Sequence, residues 1–102
     1  NARSKELGLT AEFENPIGLD GRRHRASAAD LVKLALLLRR YPEFRRIVNR
    51  PSDRLESATP PITVVNRNAL VRNVPWVDGV KTGHTEEAGF CLVASAVLMV
   101  RA

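Results

Sequence analysis

The sequence predicts an α+β domain in which helices come first and antiparallel strands follow. Apolar residues recur at helical spacing up to about residue 48, whereas from residue 62 they form short β-branched runs bounded by turn residues. This order of elements is typical of α+β architecture. The chain has 102 residues, of which 44% are hydrophobic and 26% charged, so residues 1–102 are expected to belong to one packed domain rather than to two.

The N-terminal residues 1–7 are predicted to be the end of a helix. Gly8 stands where a left-handed C-cap is expected, and Leu9 stands where the accompanying hydrophobic contact is expected. An extended piece over residues 10–13 follows, and then a loop with several turns that runs to about Ala26.

The next segment predicts a longer helix that begins after a capping residue. Ser27 and Asp30 form the capping-box pattern ahead of an apolar run, which explains them better than a catalytic triad with His24. The helix is predicted to end at Arg39 and Arg40, because cations suit the negative end of a helix. Its apolar stripe is wide enough to predict burial on most sides and consists of Leu31, Val32, Leu34, Ala35, Leu36, Leu37 and Leu38.

A short helix is predicted over Pro42–Val48, since proline fits the first turn of a helix. Phe44, Ile47 and Val48 are expected to face inward. The arginines around the junction of the two helices are predicted to lie on a solvated face rather than to bind phosphate. They are Arg39, Arg40, Arg45 and Arg46.

The second half of the chain has the composition of strands and turns. Residues 51–61 contain three prolines and several small polar residues, which predicts an irregular connection. Ile62–Val65 is predicted to be a strand, and residues 66–68 a turn followed by a loop through Pro75.

Two later segments predict an antiparallel hairpin. The first contains Lys81-Thr82-Gly83, the second runs from Phe90 to Val100, and the polar residues 85–87 separate them. Val80 and the apolar start of the second strand are expected to bury the first strand and to leave Lys81 at the edge of a cleft. Asp78 is predicted to be a turn residue.

Charge and cysteine content restrict the possible functions. Sixteen Lys and Arg against eleven Asp and Glu give a net charge of +5, which permits attraction to anionic polymers without specifying one. The single cysteine, Cys91, excludes an internal disulfide and is expected to be a small buried hydrophobic residue. Because His24 and His84 lack the ligand spacing of a zinc site, no metal and no cofactor are predicted.

The triplet Lys81-Thr82-Gly83 is the strongest candidate for a functional site. It places an ammonium group, a hydroxyl group and a backbone position without a side chain along one strand, and such a set can hold a carboxylate and an oxyanion. A bare triplet could equally be an exposed strand with a solvated lysine. The glycines at 79 and 83 favour a site, because they remove side chains where a ligand or another backbone must come close.

Several ordered motifs accompany the triplet along nearly the whole chain. They are Asn1–Thr10, Phe13–Asp20, His24–Leu31, Tyr41–Phe44, Asn66–Leu70, Asp78–Thr85 and Ala88–Ala96. With these motifs the chain resembles the serine D-alanyl-D-alanine carboxypeptidases, which are low-molecular-weight penicillin-binding proteins. The resemblance implies that residues 1–102 are the later part of an α+β catalytic domain of the β-lactamase and penicillin-binding-protein (DD-peptidase) fold.

The resemblance also implies roles for the residues of the triplet. Lys81 would place positive charge beside the reacting serine and the substrate carboxylate, and Thr82 would bind that carboxylate. Gly83 would let the peptide lie along the strand, and the backbone N–H of His84 would form half of an oxyanion hole. The implied partners are a peptidoglycan stem peptide ending in D-Ala-D-Ala and β-lactam antibiotics. The implied location is outside the cytoplasmic membrane, with membrane association only through segments absent from this chain.

The chain departs from the family pattern in its serines. None of them is followed by Lys at the third position or by Asn at the second, and they are Ser4, Ser27, Ser52, Ser57 and Ser95. The resemblance places both signatures, Ser-x-x-Lys and Ser-x-Asn, ahead of Asn1. These 102 residues alone are therefore expected to be inactive, because no acyl-enzyme can form without a nucleophile.

Other functions remain possible at this point. The nearest is a related D,D-endopeptidase or β-lactamase, although the segments Phe13–Asp20 and His24–Leu31 favour the carboxypeptidase. Another is a non-catalytic interaction module of the same fold, which would lack Ser-x-x-Lys altogether. A third class is a basic nucleic-acid-binding domain, which predicts tight binding with a steep salt dependence. The absence of salt-sensitive binding to duplex or single strands would eliminate it, and no nucleic-acid partner is expected.

Overall fold

The computed structural model describes residues 1–98. The predicted α+β class is confirmed, with helices first and two antiparallel strand pairs later. In chain order the elements are α1 (Ala2–Glu6), α2 (Ala28–Leu38), α3 (Pro42–Val48), β1 (Ser52–Leu55), β2 (Ile62–Val65), α4 (Ala69–Asn73), β3 (Val77–Thr85) and β4 (Gly89–Ala96). Within residues 1–98 no helix combines the length and the apolar composition needed to cross a bilayer.

Helix α1 ends as the sequence predicts. Gly8 has a φ of 71°, in the left-handed region that glycine adopts without strain. The chain then turns back, so that the backbone N–H of Leu9 donates to the carbonyl oxygen of Ser4 at 2.9 Å. The Leu9 side chain is buried, and the Ser4 hydroxyl donates to the carbonyl oxygen of Ala11 at 2.8 Å. The first helix is thereby fixed to the extended segment that follows it.

The predicted capping box at the start of α2 is present, and it does more than cap the helix. The Ser27 hydroxyl accepts from the backbone N–H of Asp30 at 3.0 Å, and Asp30 accepts in return from the N–H of Ser27. The same carboxylate also accepts from the N–H and the hydroxyl of Thr10, at 3.0 and 2.7 Å. Asp30 is therefore a buried junction between the N-terminal segment and α2.

Asp30 is expected to make the stability of the chain depend on acid pH. The hydrogen bonds from Thr10, with smaller contributions from Ser27, lower the pKa of Asp30 from 3.8 to about 2, against the opposing effect of burial. Because the pKa of Asp30 is lower in the folded chain than in the unfolded chain, its carboxylate stabilises the folded state at any pH above the unfolded pKa. This contribution disappears as the pH falls from about 4 to about 2. We expect Asp30→Asn to lower the melting temperature at neutral pH. Near pH 2 the melting temperature of the variant should approach that of the unchanged chain.

Melting curves followed by circular dichroism from pH 7 to pH 2 would test this, with Asp20→Asn as the control because Asp20 is an exposed carboxylate. A difference between Asp30→Asn and the unchanged chain that stays constant over this range would contradict the role of the Asp30 carboxylate.

Helix α2 is less buried than its wide apolar stripe predicts. Val32, Leu36 and Leu38 are 52%, 62% and 43% exposed, so the expectation of burial on most sides is wrong for the described chain. The reason is that the helix packs against the β4 side of the hairpin, which covers one side of its surface. The prediction for α3 is likewise wrong at one position, because Ile47 is 53% exposed while Phe44 and Val48 are half-buried.

Two short elements were not predicted. Residues 51–61 were expected to be irregular, but Ser52–Leu55 forms β1, which pairs with β2 in antiparallel register. The side chains of β1 are all exposed, so no alternation of apolar residues marks this strand in the sequence. The predicted loop before Pro75 contains α4, whose five residues are too few to establish a helical period.

The predicted hairpin is confirmed, with three corrections. Strand β4 ends at Ala96 rather than continuing through Val97 and Leu98, and the part of the prediction that concerns Met99 and Val100 lies outside the described residues. The other two corrections concern burial. Cys91 is exposed, because its partner across the hairpin is Gly83, which has no side chain to cover it. Phe90 and Leu92 are 91% and 50% exposed, so they do not bury β3 as expected.

Candidate functional site

The Lys81-Thr82-Gly83 segment lies at an open cleft of about 1070 Å³. On the other side of the cleft is the loop after the first extended segment, including Pro16, Ile17 and Gly18. No residue of this loop was predicted to belong to the site, and its Ile17 is exposed in the structure. The predicted site residues Lys81, Thr82, Gly83 and His84 all line this cleft, so the structure brings them together.

The pairing of β3 with β4 determines how the triplet is presented. From Gly79 to Thr85 the register is regular, with Lys81 opposite Val93, Thr82 opposite Leu92 and Gly83 opposite Cys91. Because side chains alternate along a strand, Lys81 and position 83 share one face and Thr82 lies on the other.

Lys81 is exposed at the cleft. Its Nζ donates to the neighbouring carbonyl oxygen of Thr82, and no carboxylate within residues 1–98 forms an ion pair with it. An ammonium group in this position can be taken up by an incoming anion without first breaking a salt bridge. The Thr82 side chain beside it is half-buried and contributes a hydroxyl group.

The two glycines of β3 differ in the space around them. A Cβ atom at Gly83 would meet no heavy atom within 4 Å, so the strand there is open to a ligand. A Cβ atom at Gly79 would come within 3.0 Å of Val48 Cγ2 and 3.3 Å of Ser95 Oγ. Gly79 therefore serves the packing of α3 against β3, whereas Gly83 leaves the cleft free.

His84 is exposed and forms an aromatic pair with Phe90. The two ring centroids are 4.2 Å apart with an interplanar angle of 34°, as expected for residues that face each other across the hairpin. The pair holds the His84 imidazole beside the cleft. The main chain of His84, to which the resemblance assigns the oxyanion role, belongs to the same strand end as Gly83.

Three polar side chains form a cluster around Asp78, which precedes the triplet in β3. We call Arg39, Asp78 and Ser95 the Asp78 cluster. The Arg39 guanidinium binds both oxygens of Asp78, at 2.9 and 3.2 Å, and also donates to Ser95 Oγ at 2.8 Å. The Ser95 hydroxyl donates to Asp78 Oδ1 at 2.6 Å. Burial raises the pKa of Asp78, but the hydrogen bonds from Ser95 and Arg39 outweigh it and hold the pKa below its ordinary value.

The cluster corrects two predictions. Asp78 was expected to be a turn residue, but it lies within β3. Arg39 was expected on a solvated face, but its side chain is 18% exposed and paired with Asp78. The position of Asp78 between Val77 and Gly79, which are both buried, is the feature that could have indicated a partner for its carboxylate.

Another polar side chain that the sequence analysis did not single out reaches the same part of β3. Asn68 is 4% exposed, and its Nδ2 donates to the carbonyl oxygen of Gly79 at 3.0 Å. Its Oδ1 accepts from the N–H of Leu70 and so caps α4. The Asn-x-Asn pattern before an apolar run was interpreted as a turn, although it also fits a helix cap.

The remaining candidates do not form a second site. His24 Nδ1 accepts from the N–H of Glu14 at 2.9 Å, and its ring packs edge-on against Phe13. Ser27 and Asp30 are engaged in the capping box, so the alternative of a triad is not supported. Within residues 1–98 no three His, Cys, Asp or Glu side chains come together as a set of metal ligands.

Comparison with known proteins identifies relatives of the whole chain. Its sequence is 42% identical over 98 residues to the D-alanyl-D-alanine carboxypeptidase DacF of Bacillus subtilis, which covers 94% of this chain and 25% of the relative. It is 35% identical over 103 residues to a D-alanyl-D-alanine endopeptidase of Escherichia coli, covering 96% of this chain and 33% of the relative. The chain thus spans a quarter to a third of the length of these curated relatives.

Solved structures with a similar fold include penicillin-binding proteins. Penicillin-binding protein 5 of Haemophilus influenzae superimposes with a TM-score of 0.81 at 36% identity, over 96% of this chain and 28% of that one. A penicillin-binding protein of Listeria monocytogenes in its cefotaxime-bound form gives a TM-score of 0.79 at 27% identity, over 96% of this chain and 40% of that one.

The match to a family profile covers nearly all of the sequence. The profile is that of D-alanyl-D-alanine carboxypeptidase, and it matches residues 1–100. The fold, the sequence relatives and this match agree, and the chain belongs to the D-alanyl-D-alanine carboxypeptidase family.

Proposed function

We propose that this chain forms one side of the substrate site of a serine-type D-alanyl-D-alanine carboxypeptidase that trims peptidoglycan stem peptides. The observation that carries the proposal is the placement of Lys81, Thr82 and His84 around the open position of Gly83, in a member of this family. A peptide ending in D-Ala-D-Ala would lie along β3 at Gly83. Its terminal carboxylate would accept from the Thr82 hydroxyl and be attracted by the Lys81 ammonium.

The reaction needs a nucleophile, and none of the five serines of the chain has the Ser-x-x-Lys spacing. In the proposal a serine from outside these 102 residues attacks the carbonyl carbon of the penultimate D-alanine. The carbonyl oxygen becomes an oxyanion, which accepts from the backbone N–H of His84 and from that of the serine. The proton removed from the serine hydroxyl passes to the leaving nitrogen, so that collapse of the intermediate breaks the C–N bond and releases D-alanine. Water then hydrolyses the acyl-enzyme to the shortened peptide and the free serine.

The proposal extends to partners and location. β-Lactams would acylate the same serine, with their carboxylate in the place of the peptide carboxylate beside Lys81 and Thr82. Because the substrate is a cell-wall polymer, the protein would act outside the cytoplasmic membrane. A D,D-endopeptidase would use the same residues, since a relative of that name is also similar over nearly the whole chain.

Labelling with a fluorescent penicillin tests this function. The 102-residue chain alone is expected to remain unlabelled, because it offers no activated serine. A chimera in which this chain replaces the matching segment of the Bacillus subtilis carboxypeptidase DacF, here called the DacF chimera, is expected to be labelled at one site per molecule. Gel fluorescence and intact-mass measurement would report both results.

The chimera also needs a control that separates folding from chemistry. Alanine in place of the nucleophilic serine of the DacF portion should abolish labelling and leave the melting temperature unchanged. Stoichiometric labelling of the 102-residue chain, or a folded chimera that is never labelled, would overturn the proposal. The second outcome would instead favour a non-catalytic interaction module of the same fold. Release of D-alanine from a free pentapeptide, compared with cleavage of a cross-linked peptide, would distinguish carboxypeptidase from endopeptidase.

A further inference from the structure

The strand that carries the triplet contains an extra residue. Val77 pairs with Ala96, whereas Gly79 pairs with Ser95, so Asp78 has no partner on β4. This is the arrangement of a β-bulge, which changes the register of one strand against the other. Without the extra residue, the pairing that begins at Val77 would place Lys81 opposite Leu92 instead of Val93.

A change of one residue in register would alter the site completely. Each such step moves every side chain of the strand to the opposite face of the sheet. The bulge at Asp78 therefore determines which face of the hairpin presents Lys81 and which presents Thr82. Asp78 lies three residues before Lys81 and is not one of the residues that line the cleft.

The contacts around Asp78 are suited to holding this bulge in place. The bidentate contact from Arg39 connects Asp78 to the end of α2, and the Ser95 hydroxyl connects it to β4. The Arg39 and Asp78 side chains are only 18% and 21% exposed, whereas the side chains of the other ion pairs of the described chain are more exposed. Hydrogen bonds between charged groups with so little solvent are stronger than neutral ones and directional.

The residue after the bulge is held as well. The Gly79 carbonyl oxygen accepts from the buried Asn68, and Gly79 lies directly beneath Val48 of α3. The bulge is thus enclosed by α2, α3, α4 and β4, while the triplet that follows is exposed.

We infer that Arg39, Asp78 and Ser95 are positioning residues, which fix the register of β3 and thereby the placement of Lys81 and Thr82. The effect on register follows from the strand pairing alone. The effect on catalysis rests on the proposed function, because it assumes that Lys81 and Thr82 bind the substrate.

The register is tested in the 102-residue chain by NMR. The unchanged chain should show cross-strand contacts between the backbone protons of Lys81 and Val93. In Asp78→Asn and Ser95→Ala these contacts should weaken or be replaced by contacts between Lys81 and Leu92, while Ser95→Thr, which keeps the hydroxyl group, should retain them. Arg46→Met is the matched control, because it removes an exposed arginine that pairs with Glu43. Unchanged Lys81–Val93 contacts in both Asp78→Asn and Ser95→Ala would overturn the inference.

The catalytic consequence is tested in the DacF chimera. Asp78→Asn should slow acylation by a fluorescent penicillin by about 100-fold or more, since a misplacement of about 1 Å can already cost that much and a change of register moves Lys81 and Thr82 further. Because part of the effect of Asp78→Asn is the displacement of Lys81, adding it to Lys81→Ala should cause a smaller loss than it causes in the unchanged chimera. Fully multiplicative losses would show a role that does not pass through Lys81 and would overturn the inference. A chimera that is never labelled counts against the proposed function, and the register measurement then still decides the role of the cluster.

Discussion

Replacement of Lys81 by alanine is expected to slow acylation of the DacF chimera by about 10²- to 10³-fold, the loss typical of removing one group that stabilises the transition state. Lys81 lies at the cleft without a carboxylate partner within the described residues, so its charge is available to the substrate. Because its side chain is exposed, its removal should leave the fold intact. Stopped-flow fluorescence with a fluorescent penicillin would measure the acylation rate constant.

The control for this prediction is another exposed lysine. Lys5→Ala removes an ammonium group from the end of α1, which does not line the cleft, and should leave the rate unchanged. Lys81→Arg keeps the charge but changes the shape and hydrogen-bonding geometry of the group, so an intermediate rate is expected. If Lys81→Ala acylates as fast as the unchanged chimera and melts at the same temperature, Lys81 is not part of the site.

The sequence was sufficient for the elements that have a regular pattern or a specific end signal. The capping pair Ser27 and Asp30, the proline at the start of α3 and the glycine after α1 each have a local physical cause, and each predicted boundary is found. Strand β1 could not be predicted in this way, because its four residues are exposed and its stability comes from backbone pairing with β2. Pairing of this kind depends on where the partner lies in space.

Errors in burial have a related cause. An apolar residue is buried only if another element covers it, and the pattern of α2 does not say which elements do so. Val32 and Leu36 lie on the part of the helix that the described residues leave uncovered. For Cys91 the decisive fact is that its cross-strand partner is a glycine, which becomes known only with the register.

The candidate site likewise has one part that could be predicted from the sequence and one part that could not. The motif Lys81-Thr82-Gly83 is contiguous in sequence and was therefore recognisable before the fold was known. In the Asp78 cluster, Asp78 and Ser95 follow Arg39 by 39 and 56 positions in the sequence, so no local pattern connects the three residues. The residues proposed to act on the substrate could thus be predicted, whereas the residues proposed to position them needed the tertiary structure.

Replacement of Gly83 by valine should strongly slow acylation of the DacF chimera while preserving its stability. Position 83 has room for a side chain, since a Cβ atom there meets nothing within 4 Å, and β-branched residues favour strands. The same space is where the peptide is proposed to lie, so the valine methyl groups would occupy it. We expect the acylation rate to fall by about 100-fold or more, as for a misplaced substrate. The fluorescent penicillin assay and a melting curve would be compared on one sample.

Gly79→Val provides the matched control within the same strand. Its Cβ would come within 3.0 Å of Val48, and the branched side chain would extend further into α3, so this variant should lose stability by about 1–3 kcal/mol through overpacking. The two glycines therefore predict opposite outcomes, with Gly83→Val stable and slow to acylate and Gly79→Val destabilised. Normal acylation by Gly83→Val would mean that the ligand does not pass over position 83. Since that position is the open part of β3 beside Lys81 and Thr82, the proposed path of the peptide along this strand would then be wrong.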